Sequence, residues 1–356
     1  MGAFLQDKAR IVLYGNSSQQ IGAGHIMRLL ALAQAAQTQF EIVFIYKTCS
    51  DLLLQKLHLQ GFSTHAINSP LNRRELMDLK PTALIVDDYY LTASEWRILE
   101  NLDIYLIKLD DALDNNTFTA DLIINPAPNA PVDRYKQFAP TATLCLGTKY
   151  TYLRQEFTLC GFIPLAKRKN LLITLGGTDS KSLALPISKL LLDSFPEIEI
   201  QLLLGTVHQH QLLLEELQKE HANFHLIYNP KSVAEIMSLS GLAISSAGGT
   251  LGELASMGVP TLALITVDNQ LPALTSPLNN TWYYAIDLRN FENEDSDTSQ
   301  NQDILNQIKE QVLILWHDTC KRVHMSEQAR QLVDTKGCQR IIEQLIIGLK
   351  NKMEQQ

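Results

Sequence analysis

The chain has 356 residues, 46% of them hydrophobic and 19% charged, an ordinary globular composition with enough apolar material for two cores. A formal net charge of −8 without any basic stripe argues against a nucleic-acid partner, because nothing is present to displace phosphate counterions. No apolar run reaches the ~18–20 residues of a membrane span, the start "MGAFLQDKAR" lacks a signal-peptide core, and five scattered cysteines without a C-x-x-C pair predict reduced thiols, a cytoplasmic location and no metal site.

In chain order, continuous apolar runs alternate with amphipathic segments. Strands are predicted at 10–14, 40–46, 83–88, 104–111 and 122–125, with helices at 25–37, 50–60, 71–79 and 92–101. The alternation restarts after "LCGFIPLAKRK". Strands then follow at 170–177, 198–205, 224–229, 241–246 and 260–266, and helices at 181–194, 208–220, 232–239, 250–257, 302–332 and 336–352. Unbroken Val/Ile/Leu runs are the pattern of parallel strands covered on both faces. The expected architecture is α/β, with two Rossmann-like, doubly wound domains and a ligand cleft between them. The expected division is 1–160, a linker 161–169, and 170–356, with the last helix a candidate to pack back on the first domain. The acidic stretch 290–303 is expected to be a solvated loop.

Behind the first strand stands "IGAGHIMRLLALAQAAQ", residues 21–37. Gly22 and Gly24 suit a tight turn that lets a ligand approach the backbone, but Met27 breaks the G-x-G-x-x-G dinucleotide fingerprint. His25 therefore opens a helix at the carboxyl edge of a sheet, where open α/β sheets bind ligands. Imidazole is the side chain that changes charge near neutral pH, which suits proton abstraction from water. Arg28, one turn on, suits either a diphosphate partner or a snorkelling surface position. Two acidic pairs, Asp87-Asp88 and Asp110-Asp111, end strands of this half. They are expected to cap helices or hydrogen-bond a ligand rather than hold a metal, with Asp88 a candidate to orient His25.

The second half carries two more glycine loops, Gly176-Gly177-Thr178-Asp179 and Ser246-Ala247-Gly248-Gly249-Thr250, each between a strand and a helix. Backbone N–H groups at the positive end of a helix suit a diphosphate. Glu253, one turn into the following helix, is placed either to accept hydrogen bonds from two ribose hydroxyls or to complement the helix dipole.

The segments "SSQQIGAGHIMRLLALA", "LIVDDYYL", "IKLDDAL", "LCLGTKYTYLRQEF", "LLITLGGTDSKS", "VAEIMSLSGLAISSAGGTLGEL", "VDNQ" and "DTKGCQR", in this order from about residue 10 to 345, are together specific. They resemble the UDP-2,4-diacetamido-2,4,6-trideoxy-β-L-altropyranose hydrolases of pseudaminic acid biosynthesis, relatives of the peptidoglycan N-acetylglucosaminyltransferase. The resemblance implies the GT-B fold and inverting water attack at C1 of a UDP-sugar. It implies His25 as the catalytic residue, Tyr89 and Asn269 at the sugar with Gln270 beside them, and UDP on the second domain. No cofactor is implied, and a cytoplasmic monomer is expected. Asn16 and Tyr90 depart from the pattern, where Asp and Gly are expected, as does the proline-bearing "LPALTSPLNNTWYY". A glycosyltransferase of the same fold and a non-catalytic sugar-nucleotide sensor are the alternatives.

Overall fold

The run Ile11-Val12-Leu13-Tyr14 has no polar position, so a strand made of it needs cover on both faces. A computed structural model of the chain supplies that cover. Ile11 and Leu13 enter one apolar cluster with Ile26, Leu29 and Leu30, whereas Val12 and Tyr14 enter another with Trp96, Leu99 and Tyr135. Burying each such aliphatic side chain contributes roughly 1.5–3 kcal/mol. The structure describes residues 8–18, 21–111, 118–176, 179, 181–205, 210–291 and 299–354.

Two compact units are present, residues 1–155 with 336–356, and residues 156–335. The first runs β1 (Arg10–Gly15), α1 (Gly24–Ala36), β2 (Glu41–Tyr46), α2 (Asp51–Leu59), β3 (Ser63–Ala66), α3 (Arg73–Asp78) and β4 (Ala83–Asp87). It continues through α4 (Ala93–Glu100), β5 (Tyr105–Leu109), β6 (Leu122–Asn125), α5 (Val132–Phe138) and β7 (Thr143–Leu146). Its strands form one parallel sheet in the order β3-β2-β1-β4-β5-β6-β7. From β1 the chain winds outward to β2 and β3, then returns to β4 and winds the other way. The β1–β4 boundary is therefore the switch point, where the following loops diverge and leave a crevice.

The second unit runs α6 (Gln155–Leu159), whose first residue still belongs to the first unit, then β8 (Asn170–Thr174), α7 (Ala184–Ser194), β9 (Glu199–Leu204), α8 (Gln211–Glu220) and β10 (Phe224–Tyr228). It continues with α9 (Val233–Ser238), β11 (Ser240–Ser246), α10 (Thr250–Ser256), β12 (Thr261–Ile265), α11 (Leu271–Thr275), β13 (Tyr283–Asp287), α12 (Ser299–His317) and α13 (Thr319–Leu332). The sheet order β10-β9-β8-β11-β12-β13 repeats the first unit's plan, with its switch point between β8 and β11. A last helix, α14 (Gly337–Glu354), belongs to the first unit, where Cys338, Ile341, Ile342 and Leu345 join the cluster under α1. Among the described residues no helix is long and apolar enough to cross a membrane.

Every strand expected from the sequence forms, and three more edge strands join them: β3, β7 and β13. The segment 161–169 is not a free tether. Arg168 is buried, donating from Nη2 to Met257 O (2.9 Å) and from Nη1 to Gly258 O (3.1 Å), so it caps carbonyls behind α10. Within the acidic stretch, residues 299–303 begin α12 rather than a loop, and residues 292–298 lie outside the described residues. The expected single helix at 302–332 is two helices, because Asp318 turns its carboxylate onto the Lys321 N–H (2.8 Å) and starts α13. Apolar periodicity carries on through the break, but an aspartate that caps is a start signal. Asp318→Ala should lower stability by about 1 kcal/mol in urea unfolding, and Asp318→Asn by much less, because the amide oxygen still accepts. Equal losses would show that the break is held by something other than this cap.

Candidate active site

Sheet register sets the first group of residues. Gly15 ends β1 directly opposite Asp87 at the end of β4, on either side of the switch point. A side chain at Gly15 would place its Cβ 2.6 Å from Leu29 Cδ1, so glycine lets α1 close onto the strand end. Gly22 has φ of 77°, the left-handed conformation that favours glycine, and its N–H bonds Ser18 O at 2.8 Å. The chain then enters α1 at Gly24 with Ala23 as its cap, and no side chain or acidic residue covers the first turn. His25, Ile26 and Arg28 follow on that turn, with His25 only 4% exposed.

His25 and Arg28 converge on Asp87. His25 Nδ1 lies 2.7 Å from Asp87 Oδ1. Arg28 donates from Nε to Asp87 Oδ2 (2.9 Å) and from Nη2 to Oδ1 (2.7 Å), and its Nη1 donates to Asp111 Oδ2. Tyr89 accepts from Arg28 Nη2 at 3.2 Å, donates to Asp111 Oδ1, and sets its ring edge-on to His25 with centroids 4.5 Å apart. Arg28 Nη2 also lies 3.0 Å from His25 Nδ1. These distances select a tautomer. An Nδ1 lone pair 2.7 Å from a carboxylate oxygen would be repelled by it, so Nδ1 carries the proton and donates to Asp87. Nε2 is then the ring's basic nitrogen, and it makes no hydrogen bond with any described residue.

Burial alone would raise the Asp87 carboxyl, but the Arg28 charge and the His25 hydrogen bond outweigh it and hold Asp87 below the usual carboxylate range. Burial likewise opposes the Arg28 charge, and Asp111 with Asp87 reverses the balance, keeping the guanidinium charged. Tyr89 is pushed up, first by desolvation and then by Asp111 and Asp87 against the pull of Arg28, so its phenol stays protonated. Tyr152 lies within electrostatic reach of all four partners and is pushed up by desolvation. Arg28 thus commits its donors to internal acceptors and does not snorkel.

Asp88 does not orient His25; its neighbour Asp87 does. Successive strand residues face opposite sides of a sheet. Ile85 packs towards α1 and Val86 away from it, so Asp87 meets α1 and Asp88 turns to the other face. There Asp88 Oδ2 accepts from Tyr14 Oη (2.9 Å) and Asn16 Nδ2 (2.9 Å), and Oδ1 accepts from Tyr90 N (2.7 Å). The same contacts explain Asn16. Its Oδ1 accepts from Lys47 N (2.8 Å) and Thr48 N (3.1 Å) while Nδ2 donates to Asp88, and an aspartate there offers no donor. Among the described residues, Asp110 accepts from Tyr135 Oη at 2.7 Å, and Asp111 from Arg28 and Tyr89.

In the second unit the glycine loops also meet at the switch point. A Cβ on Gly176 (φ 84°) would lie 3.5 Å from Ser246 Oγ. Ala247, Gly248 and Gly249 follow, and the cap residue of α10 is Gly249, so α10 starts at Thr250 with Glu253 in its first turn. Gln270 Oε1 accepts from Thr266 N (2.8 Å), and its Nε2 lies 3.9 Å from where a Gly248 Cβ would be; Asn269 is exposed beside it. Gly177 and Thr178 lie outside the described residues. The helix behind them begins at Ala184, later than expected, and its donors are engaged. Asp179 accepts from Leu183 N and Ala184 N, both at 2.9 Å, so a carboxylate of the chain already holds that helix start.

The sequence offers Asp87 and Asp111 only as members of acidic pairs, without a link to His25 or Arg28, and does not single out Tyr152. Strand alternation would have selected Asp87 over Asp88, whereas Asp111 and Tyr152 join only through tertiary contacts. Because Asp87 is held low in the fold, its stabilisation is complete above the ordinary carboxylate value and is lost as the pH falls through its folded value. Asp87→Asn should cost about 3 kcal/mol near neutrality. In urea unfolding that gap should shrink as the pH is taken below the ordinary carboxylate value; a gap that stays constant would place the stabilisation elsewhere.

No family model matches the chain. It is 26% identical over 268 residues to an uncharacterized protein of Methanocaldococcus jannaschii, covering 72% of this chain and 55% of that protein, so it spans little more than half of that relative. It is 25% identical over 274 residues to the UDP-2,4-diacetamido-2,4,6-trideoxy-beta-L-altropyranose hydrolase of Campylobacter jejuni, covering 73% of this chain and 93% of the hydrolase. Among solved structures, MnaA of S. aureus in its co-structure with UDP superposes with a TM-score of 0.66 at 14% identity, covering 96% of this chain and 97% of that one. MurG of Acinetobacter baumannii gives 0.60 at 17% identity, covering 94% and 98%. The two Rossmann-like units thus have the GT-B fold, and in sequence the chain is similar to the Campylobacter UDP-sugar hydrolase.

Proposed function

We propose that this protein is a nucleotide-sugar hydrolase that releases UDP from a UDP-linked diacetamido-trideoxy hexose, in the biosynthesis of a pseudaminic-type acid. The observation that carries the reading is His25, with Nδ1 held by Asp87 and Nε2 unengaged among the described residues, at the switch point of the first unit. A water proton passes to Nε2 as the water oxygen bonds C1; the C1–O bond breaks with inversion and its electrons leave on UDP. Tyr89, a protonated phenol against the His25 ring, lines the sugar side.

The second unit takes the nucleotide. Of its two glycine loops, Ser246–Thr250 is the better diphosphate seat, since the cap of α10 is a glycine while Asp179 occupies the start of α7. Backbone N–H groups there offset the charge developing on the leaving diphosphate. Glu253 accepts from the ribose hydroxyls, and Asn269 and Gln270 hold the sugar-proximal end. The name of the 25% identical Campylobacter relative supports the same substrate class.

The test is UDP release from a panel of UDP-sugars in EDTA-treated buffer with no acceptor added. Release there is expected, and release only when an acceptor is supplied would make the protein a glycosyltransferase. In ¹⁸O-water the label should enter the free sugar; label in UDP would show P–O cleavage and remove His25 from the reaction as written. His25→Ala should lower kcat by ~10²–10⁴-fold with little change in KM. Glu253→Ala should act mainly on KM, because ribose contacts are alike in ground and transition states. A His25→Ala variant with near wild-type kcat would require another base.

A further inference from the structure

Asp87 Oδ1 serves two donors at once, His25 Nδ1 and Arg28 Nη2, each at 2.7 Å, and those two nitrogens are 3.0 Å apart. This sharing is harmless while the imidazole is neutral. Once His25 holds a proton from water, an imidazolium and a guanidinium stand side by side over one carboxylate, and like charges this close in a desolvated site repel strongly. Asp87 alone cannot balance both. Asp111 is what the cluster has in addition: its Oδ2 takes Arg28 Nη1 on the side away from His25, and its Oδ1 takes the Tyr89 hydroxyl.

The charges then close. With His25 neutral, Asp87 and Asp111 carry two negative charges against the single positive charge of Arg28, leaving one negative; protonation of His25 brings the cluster to zero. The groups against the imidazole are Arg28 on α1 and Asp87 and Tyr89 at the end of β4; Asp111 and Tyr152 act on Arg28, Asp87 and Tyr89, and Lys108 on β5 acts on Asp87. Both tyrosines are pushed up and neutral, and Asp88 bonds on the opposite face.

We infer that Asp87 and Asp111 are positioning residues for the reaction proposed above, on which this inference rests. Asp87 fixes the Nδ1–H tautomer and so presents Nε2 as the base. Asp111 acts at one remove: by pairing with Arg28 it leaves the charge of Asp87 for the imidazolium. Arg28 pins Asp87 from both oxygens and keeps it ionised, so that the carboxylate does not take the proton from His25.

The first experiment needs no substrate and reads the wild-type protein. ¹⁵N spectra of histidine-labelled wild-type protein, with His25 assigned by its loss in His25→Gln, should show Nδ1 protonated and Nε2 bare at high pH. A protonated Nε2 in the neutral ring would overturn the role of Asp87. The second uses Asp111→Asn, which keeps shape and removes the charge. The pH at which the His25 ring nitrogens change shift should move down by about one unit, and the acidic limb of kcat/KM for UDP release should move with it. No movement, or movement upward, would overturn the role of Asp111. If the ring titration shifts as expected but no UDP-sugar is hydrolysed, the electrostatic inference stands and the substrate assignment fails. If UDP-sugar is hydrolysed but the ring titration and acidic limb ignore Asp111→Asn, the substrate assignment stands and the role of Asp111 fails.

Discussion

A carboxylate taken fully out of water at the end of a central strand is the constraint around which the first unit's site is arranged. Asp87 is wholly buried, and an isolated buried charge costs several kcal/mol even after relaxation. The structure offsets that cost with charge-assisted hydrogen bonds from two residues of one helix turn, His25 and Arg28. For α1 to deliver both, it must start at Gly24 and lie close over the end of β1, which is why glycine stands at positions 15 and 22. The histidine's tautomer, its burial and the freedom of Nε2 all follow from satisfying this one anion.

The two units share a sheet plan and gather different residues at it. Each has its switch point between its first and fourth strands, and in each the loops that matter leave from there. In the first unit the switch point gathers titratable side chains: an imidazole, a guanidinium, two carboxylates and a phenol. In the second it gathers small residues, Gly176 beside Ser246 and then Ala247-Gly248-Gly249. Side chains that change protonation suit bond-making to water, whereas fixed N–H dipoles suit a permanently charged leaving group.

Within the second unit, the two glycine loops look equivalent in sequence and are not equivalent in space. The difference is Asp179, which folds back on Leu183 and Ala184 and supplies the anion that the start of α7 would otherwise draw from outside. The segment around Arg168 works the same way at the other end of α10, where a buried guanidinium collects the carbonyls of Met257 and Gly258. Both are cases of a charged residue satisfying a helix end from a loop that sequence patterning reads as mere connection.

What the sequence determined by itself was everything that depends on local pattern. Unbroken apolar runs demanded parallel strands covered twice, and the restart of the alternation near residue 170 demanded two sheets. Glycines followed by His25 demanded a tight turn into a helix. The edge strand β3, "STHA", carries no such pattern, because its order comes from backbone pairing with β2 and not from its own side chains. The break at Asp318 hid inside a continuous helical periodicity for a related reason, since a cap is one residue and a period is many. Strand alternation separates the two aspartates of β4, and the tertiary structure decided which face α1 covers. Asp87 and Asp88 are adjacent and identical in chemistry, and the alternation of strand faces sends one to α1 and the other to Tyr14 and Asn16. Asp111 lies 83 positions from Arg28 along the chain, and no local pattern links them. Side-chain identity is written in the sequence, but the sharing of one buried charge among distant partners is settled only when the sheet brings β1, β4 and β5 into register.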